Sequence, residues 1–155
     1  MKILKIIIAA LIITAVDAVV GAVTCGNLFN WVYKLEPANI WKSMDVPPGV
    51  CFFVASALLN VVFVLVYAIL YKGIPGKSKW VKGLVYGVCV WAIGMLPGML
   101  MTHTFMTVAT EVIIYWTVLG LVQNPLRGLI ASVIYGCSCK CCSCGDSCSC
   151  KDNNQ

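Results

Sequence analysis

Charge is what this sequence has least of. Only 11% of its 155 residues are Asp, Glu, Lys or Arg, with six acids, one histidine and a single arginine, Arg127. Soluble domains carry about 25% charged residues, so a chain that is 61% apolar, with a mean hydropathy of +0.92, would present too greasy a surface to stay dispersed in water. A wholly disordered chain is excluded as well, because disorder requires low hydrophobicity together with high net charge. A net charge of +5 spread over so few charged residues does not make a nucleic-acid-binding domain. Enzyme templates are also missing. There is no Gly-x-Ser-x-Gly, no phosphate-cradling glycine loop and no His-Glu-x-x-His. Cys25, Cys51 and Cys89 are too dispersed for a Cys-x-x-Cys oxidoreductase. The chain reads as a non-enzyme.

Long apolar runs take the place of charge. A bilayer core of about 30 Å needs about 20 apolar residues per helix. Residues 6–24 form the first such run, preceded by Lys2 and Lys5 and interrupted by Asp17. Residues 50–71 form the second, free of charge and holding one amide, Asn60. From Gly83 to Leu126 only His103 and Glu111 intervene, and apolar character resumes after Arg127 up to Gly136. That stretch is too long for one crossing and must fold back. The polar run Thr102 to Thr107 is the expected turn, with Pro97-Gly98 as the competing one. The runs lack the alternation of barrel strands, and only helices or closed barrels satisfy their backbone in lipid. A cleaved signal peptide is the competing reading of the first run. It is disfavoured because the run continues past Asp17 to Val23 without a small-x-small site, and a lipoprotein reading at Cys25 is weaker still. The expected fold is all-α: a polytopic membrane protein with four transmembrane helices over residues 1–136, an outer interfacial loop, and a disordered Cys-rich cytoplasmic tail over residues 137–155.

Positive residues accumulate in cytoplasmic loops. Lys2 and Lys5 precede span one, Lys72, Lys77, Lys79 and Lys82 lie between spans two and three, and Arg127, Lys140 and Lys151 lie at or after the end of span four. Only Lys34 and Lys42 lie on the other side. Both termini are therefore expected in the cytoplasm, in an inner or plasma membrane. In the outer loop, Phe29, Trp31, Tyr33 and Trp41 suit the headgroup layer, and Pro37, Pro47 and Pro48 break the loop into short pieces.

Gly83, Gly87, Gly94 and Gly98 fall within about 60° of one another on an ideal helix. Close backbone approach drives much of helix association in lipid, so this stripe should face another helix, within the chain or in a second copy. Pro125 predicts a break or a kink near Gln123-Asn124-Pro125. A break puts Arg127 at the cytoplasmic interface. An unbroken helix carries Arg127 deeper, where it must snorkel or find an acid. The stretch Lys82-Gly83-Leu84-Val85-Tyr86-Gly87, followed by Trp116, Gly120, Gly128 and Tyr135, resembles small four-span prokaryotic membrane proteins of unassigned function. The resemblance spans residues 1–136 and implies a four-helix membrane fold with no known activity.

An ionisable group inside a membrane helix costs about 2.5–3.5 kcal/mol at its centre, so each is a functional suspect. Asp17 lies well inside span one, nearer its outer end, while His103 and Glu111 lie near the outer end of span four or in the turn before it. A proton or cation site built from Asp17, His103 and Glu111, with Asn60 as neutral neighbour, is one reading. Wetted interfacial positions for His103 and Glu111 are the other, and Arg127 is an alternative partner for Asp17 if span four continues unbroken.

Seven of the ten cysteines crowd the tail: Cys137, Cys139, Cys141, Cys142, Cys144, Cys148 and Cys150. Nothing between them could form an apolar core. Soft thiolates select zinc or copper(I), and four complete a tetrahedral zinc shell. Seven imply bridging thiolates or a small cluster. The repeated Cys-x-Cys and Cys-Cys steps resemble a metallothionein segment. In a reducing cytoplasm metal binding is favoured over a disulfide framework, with lipidation of Cys137 and Cys139 and thiol redox sensing as competitors. The expected function is metal handling or sensing by a multi-pass membrane protein. The alternatives are a scaffold or accessory subunit, and a minimal proton or ion channel using Asp17 and Glu111. Expected partners are the lipid bilayer and a homo-oligomer or larger membrane complex, not nucleic acid.

Overall fold

The computed structural model describes residues 2–37 and 48–135. The tail cysteines lie outside the described residues, as do Trp41, Lys42 and Pro47 of the loop. Helix α1 spans Lys2–Val23 and continues through a π-helical turn, Thr24–Leu28, into a short 3-10 turn, Asn30–Lys34. Helix α2 covers Val50–Leu70, α3 Lys79–Val90, α4 Leu96–Phe105 and α5 Thr110–Tyr135. A second π-helical turn, Trp91–Met95, joins α3 to α4 into one rod. The result is four helical units long and apolar enough to cross a membrane: Ile3–Leu28, Val50–Leu70, Lys79–Phe105 and Thr110–Tyr135. Ile3, Leu11, Leu58, Ile69, Ile93 and Val122 point outward with more than half of their surface uncovered, as lipid-facing side chains do. This is an integral, multi-pass, all-α membrane protein.

The reversal between the last two spans falls a few residues later than expected. The rod persists to Phe105 and the chain turns over residues 106–109. Thr102 and Thr104 are compatible with helix because each hydroxyl donates to the carbonyl four residues back, Gly98 at 2.9 Å and Leu100 at 2.8 Å. The competing turn at Pro97-Gly98 does not form. Pro97 sits in the first turn of α4, directly after a π-helical turn closed by the Leu96 N–H on the Trp91 carbonyl, where a missing N–H disturbs least. At Pro125 the helix is likewise unbroken.

Helix α1 packs between α2 and α5, and α3 lies along α5. The core at one end joins Ala9, Ala10 and Ile13 of α1 to Val64 and Tyr67 of α2, Tyr86 of α3 and Ala131 of α5. The two alanines keep α1 thin where it meets its neighbours. Tyr86 rests on the rings of Phe63 and Tyr67, with centroids 4.9 and 5.2 Å away, and its hydroxyl donates to the Phe63 carbonyl at 2.8 Å. Tyr86→Phe keeps the ring contacts and loses that bond, so it should lower stability by about 0.5–1.5 kcal/mol, read from detergent-denaturation curves of the purified protein. Lys82, at the same end, donates to the Tyr71 carbonyl at 3.0 Å and lies 4.6 Å above the Tyr71 ring centre.

The glycine stripe divides. Gly83 and Gly87 are buried against α5, where an added Cβ would strike Gly128, Ser132, Asn124 and Pro125. Gly94 and Gly98 are exposed, with nothing within 4 Å of such a Cβ. The π-helical turn between the pairs explains the split. One residue more than α-helical winding rotates everything beyond it by about 100°, and the second pair leaves the interface. Met95 takes its place, resting on Gly120 of α5. The partner of the surviving pair is within the chain.

Candidate functional site

Three helices converge on Asp17. On α1, Ala10, Thr14 and Asp17 follow at helical spacing along the face turned to α2 and α5. Asn60 of α2, only 4% exposed, divides its amide between Thr14 and Asp17, donating to the Thr14 hydroxyl and to Asp17 Oδ2, both at 3.0 Å. The Thr14 hydroxyl donates onward to the Ala10 carbonyl at 2.8 Å. From α5, Gln123 and Arg127 stand one turn apart on one face. Gln123 Nε2 and Arg127 Nε both donate to Asp17 Oδ1, each at 2.9 Å. The Asp17 carboxylate is 9% exposed and the Arg127 side chain 27%.

Each donor answers a need set by the medium. A carboxylate in a low-dielectric interior must be paired and hydrogen-bonded. Here it has one counter-charge and two amide donors from two other helices. At 1.5 Å per residue, Asp17 lies about 21 Å along the span from Ile3 and about 17 Å before Leu28. The pair therefore sits deep within the bundle, with Asp17 somewhat nearer the Leu28 end of span one, as expected. All three partners are donors, and they take up most of the lone-pair capacity of Asp17. Chemically the arrangement can lock three helices in register. It leaves little of the carboxylate for a coordinated cation.

Of the four polar residues singled out from sequence, the structure brings together Asp17 and Asn60. His103 and Glu111 are not among their partners. His103 is exposed on α4 and lines an open, mainly apolar groove of about 290 Å³ with Met99, Thr110 and Thr117. Glu111 is exposed in the first turn of α5, where the positive end of the helix dipole favours an acid. It precedes Gln123 by twelve residues, about 18 Å along the axis. The three-residue convergence is thus replaced by the conditional alternative, Arg127 on an unbroken span four. Gln123 was hidden by its place beside Asn124-Pro125, although its spacing to Arg127 is the signal that pairs them.

A second polar cluster lies at the other end of α1. The Cys25 thiol is 3.4 Å from both the Tyr33 and Tyr115 hydroxyls, Trp116 Nε1 donates to the Tyr33 hydroxyl at 2.9 Å, and Phe29 stacks on Tyr115 at 4.7 Å. Burial pushes the Tyr33 phenol well above its usual range, the neighbouring Cys25 adds to the rise, and the Trp116 N–H opposes it. Phe29 and Tyr33 fasten the loop to α5, while Trp31 remains 56% exposed. Among the described residues no three His, Cys, Asp or Glu side chains come together as a metal site would require. No protein-family model, curated protein or solved structure matches this chain.

Proposed function

We propose that this membrane protein handles or senses a soft metal ion, zinc or copper(I), through the thiolates of Cys137, Cys139, Cys141, Cys142, Cys144, Cys148 and Cys150. One observation carries the reading: seven thiols within fourteen residues, beginning two residues after α5 ends at Tyr135. That density exceeds the four sulfurs of a closed zinc shell, and the small and charged residues between the cysteines supply no competing apolar core. The lysine distribution supports a cytoplasmic placement of both termini, where thiols stay reduced. The four-helix bundle then acts as an anchor that holds the ligand-rich segment at the membrane face.

The experiment is elemental analysis of protein purified without added chelator, with and without residues 137–155. More than one zinc or copper per chain is expected in the full-length protein, falling to background after truncation. Equal metal in both would remove the proposal. The second reading is a scaffold or accessory subunit. The three-helix lock around Asp17 favours it, because a carboxylate already held by three donors serves as a tie better than as a stage in an ion path. That reading predicts copurification with a larger membrane complex whether or not the tail is present.

A further inference from the structure

The Asp17–Arg127 pair is lopsided. Arg127 meets the carboxylate through Nε alone, on an oxygen shared with Gln123. Among the described residues neither Nη nitrogen has a hydrogen-bond partner. A guanidinium whose only task was to neutralise Asp17 would be expected to close on it with two parallel bonds. Asp17 Oδ2, the oxygen that a second parallel bond would reach, is held instead by Asn60, and the outer edge of the guanidinium is left unpaired. The side chain is 27% exposed and the unpaired Nη nitrogens are not buried, so that edge is accessible from outside the bundle. It lies about 12 Å along the helix from the α5 terminus at Tyr135. Donors facing hydrocarbon must find an acceptor, and the described chain offers no second acid for the task. Glu36 follows the 3-10 turn beyond α1 and Glu111 opens α5, both toward the opposite end of the bundle.

We propose that the outer Nη edge of Arg127 is a binding site for an oxyanion, a phosphate or carboxylate, with Asp17 and Gln123 as positioning residues that fix the guanidinium from its Nε side. The planar pair of Nη groups matches two oxygens of such a group, which a lysine ammonium cannot do. The same chemistry fits a lipid headgroup reaching in along α5 and a soluble oxyanion entering the bundle. This site is independent of the proposed metal binding by the tail.

Arg127 is the only arginine in the chain, so a dicarbonyl reagent such as phenylglyoxal, which condenses with the guanidinium nitrogens, reports on this edge through the adduct located on the Arg127 peptide. The full-length protein is labelled in neutral maltoside detergent, alone, with inorganic phosphate, or with phosphatidylglycerol. Labelling is expected in detergent alone, and slowing by about tenfold when the protecting anion stands about ten times above its Kd. Protection by inorganic phosphate identifies a soluble oxyanion, protection by phosphatidylglycerol only identifies the headgroup, and protection by both supports the shared phosphate chemistry. Failure of Arg127 to label in detergent alone, or labelling that neither addition slows, would overturn the site. Arg127→Lys keeps the charge and loses the fork. Its melting temperature should not rise with the protecting anion as that of the native protein does. An equal rise in both would reduce the effect to unspecific charge attraction and overturn the proposal. Should the variant fail to fold, the labelling of the native chain still decides.

Discussion

Arg127→Leu is expected to destabilise the bundle by about 3–5 kcal/mol, the cost of leaving one member of a buried pair uncompensated. Asp17, with a side chain only 9% exposed, would keep the amides of Asn60 and Gln123 but lose its one counter-charge among the described residues. Asp17→Leu should cost about as much, because the arginine is then left deep in the bundle without an acid. The double replacement should recover most of the loss, since a buried ion pair exchanged for apolar residues of similar volume is often neutral. The two single losses would then greatly exceed the double loss, a non-additivity of the kind that marks direct contact. Denaturant titration of the purified protein in mild detergent, followed by tryptophan fluorescence, measures all three. If either single variant stays within about 1 kcal/mol of the native protein, the pair does not hold the helices together.

The residues at this centre differed in how plainly the sequence announced them. Four spans were legible because the thickness of hydrocarbon fixes how much apolar chain is needed. Asp17 stood out for the converse reason, as a charge in a run that should hold none. Its partner could not be settled, because Pro125 leaves both a broken and an unbroken span open and the packing of α5 against α3 decides between them. Gln123 was obscured by the same proline. Thr102 and Thr104 looked like a turn because hydroxyls are polar. Inside a helix they satisfy themselves on the carbonyls behind them, so the rod ran on. The aromatic residues of the first loop suit a headgroup layer and a helix flank equally well. The contacts of Tyr33 with Cys25 and Trp116, and of Phe29 with Tyr115, are long-range pairings that no local pattern announces. The glycines were half legible, since a period of 100° per residue carries no notice of one extra residue in a π-helical turn.

That split stripe yields the other large effect. Where α3 crosses α5, backbone meets backbone: a Cβ on Gly83 would lie 2.5 Å from the Gly128 carbonyl oxygen and 2.7 Å from Ser132 Cβ, and one on Gly128 would strike the Gly83 carbonyl. Neither obstacle is the free end of a side chain, so the helices must separate. Gly128→Ala or Gly83→Ala should therefore cost about 1–3 kcal/mol, as other overpacked sites do, and Gly128→Leu should prevent the two helices from docking. Gly120→Ala should be milder, because its neighbour is the thioether of Met95, whose sulfur would be 2.9 Å away and which can swing aside. Gly94→Ala and Gly98→Ala, with open space around them, should be neutral or gain up to about 0.5–1 kcal/mol from reduced backbone freedom. Gly83→Ala combined with Gly128→Ala should cost less than the sum of the two, since once the helices have moved apart the second methyl meets no further obstacle. Lipid supplies no hydrophobic drive to bring separated helices back together, so nothing elsewhere in the bundle offsets the lost contact. A denaturation series that fails to rank Gly83 and Gly128 above Gly120, and Gly120 above Gly94 and Gly98, would show that this crossing is not where α3 is held.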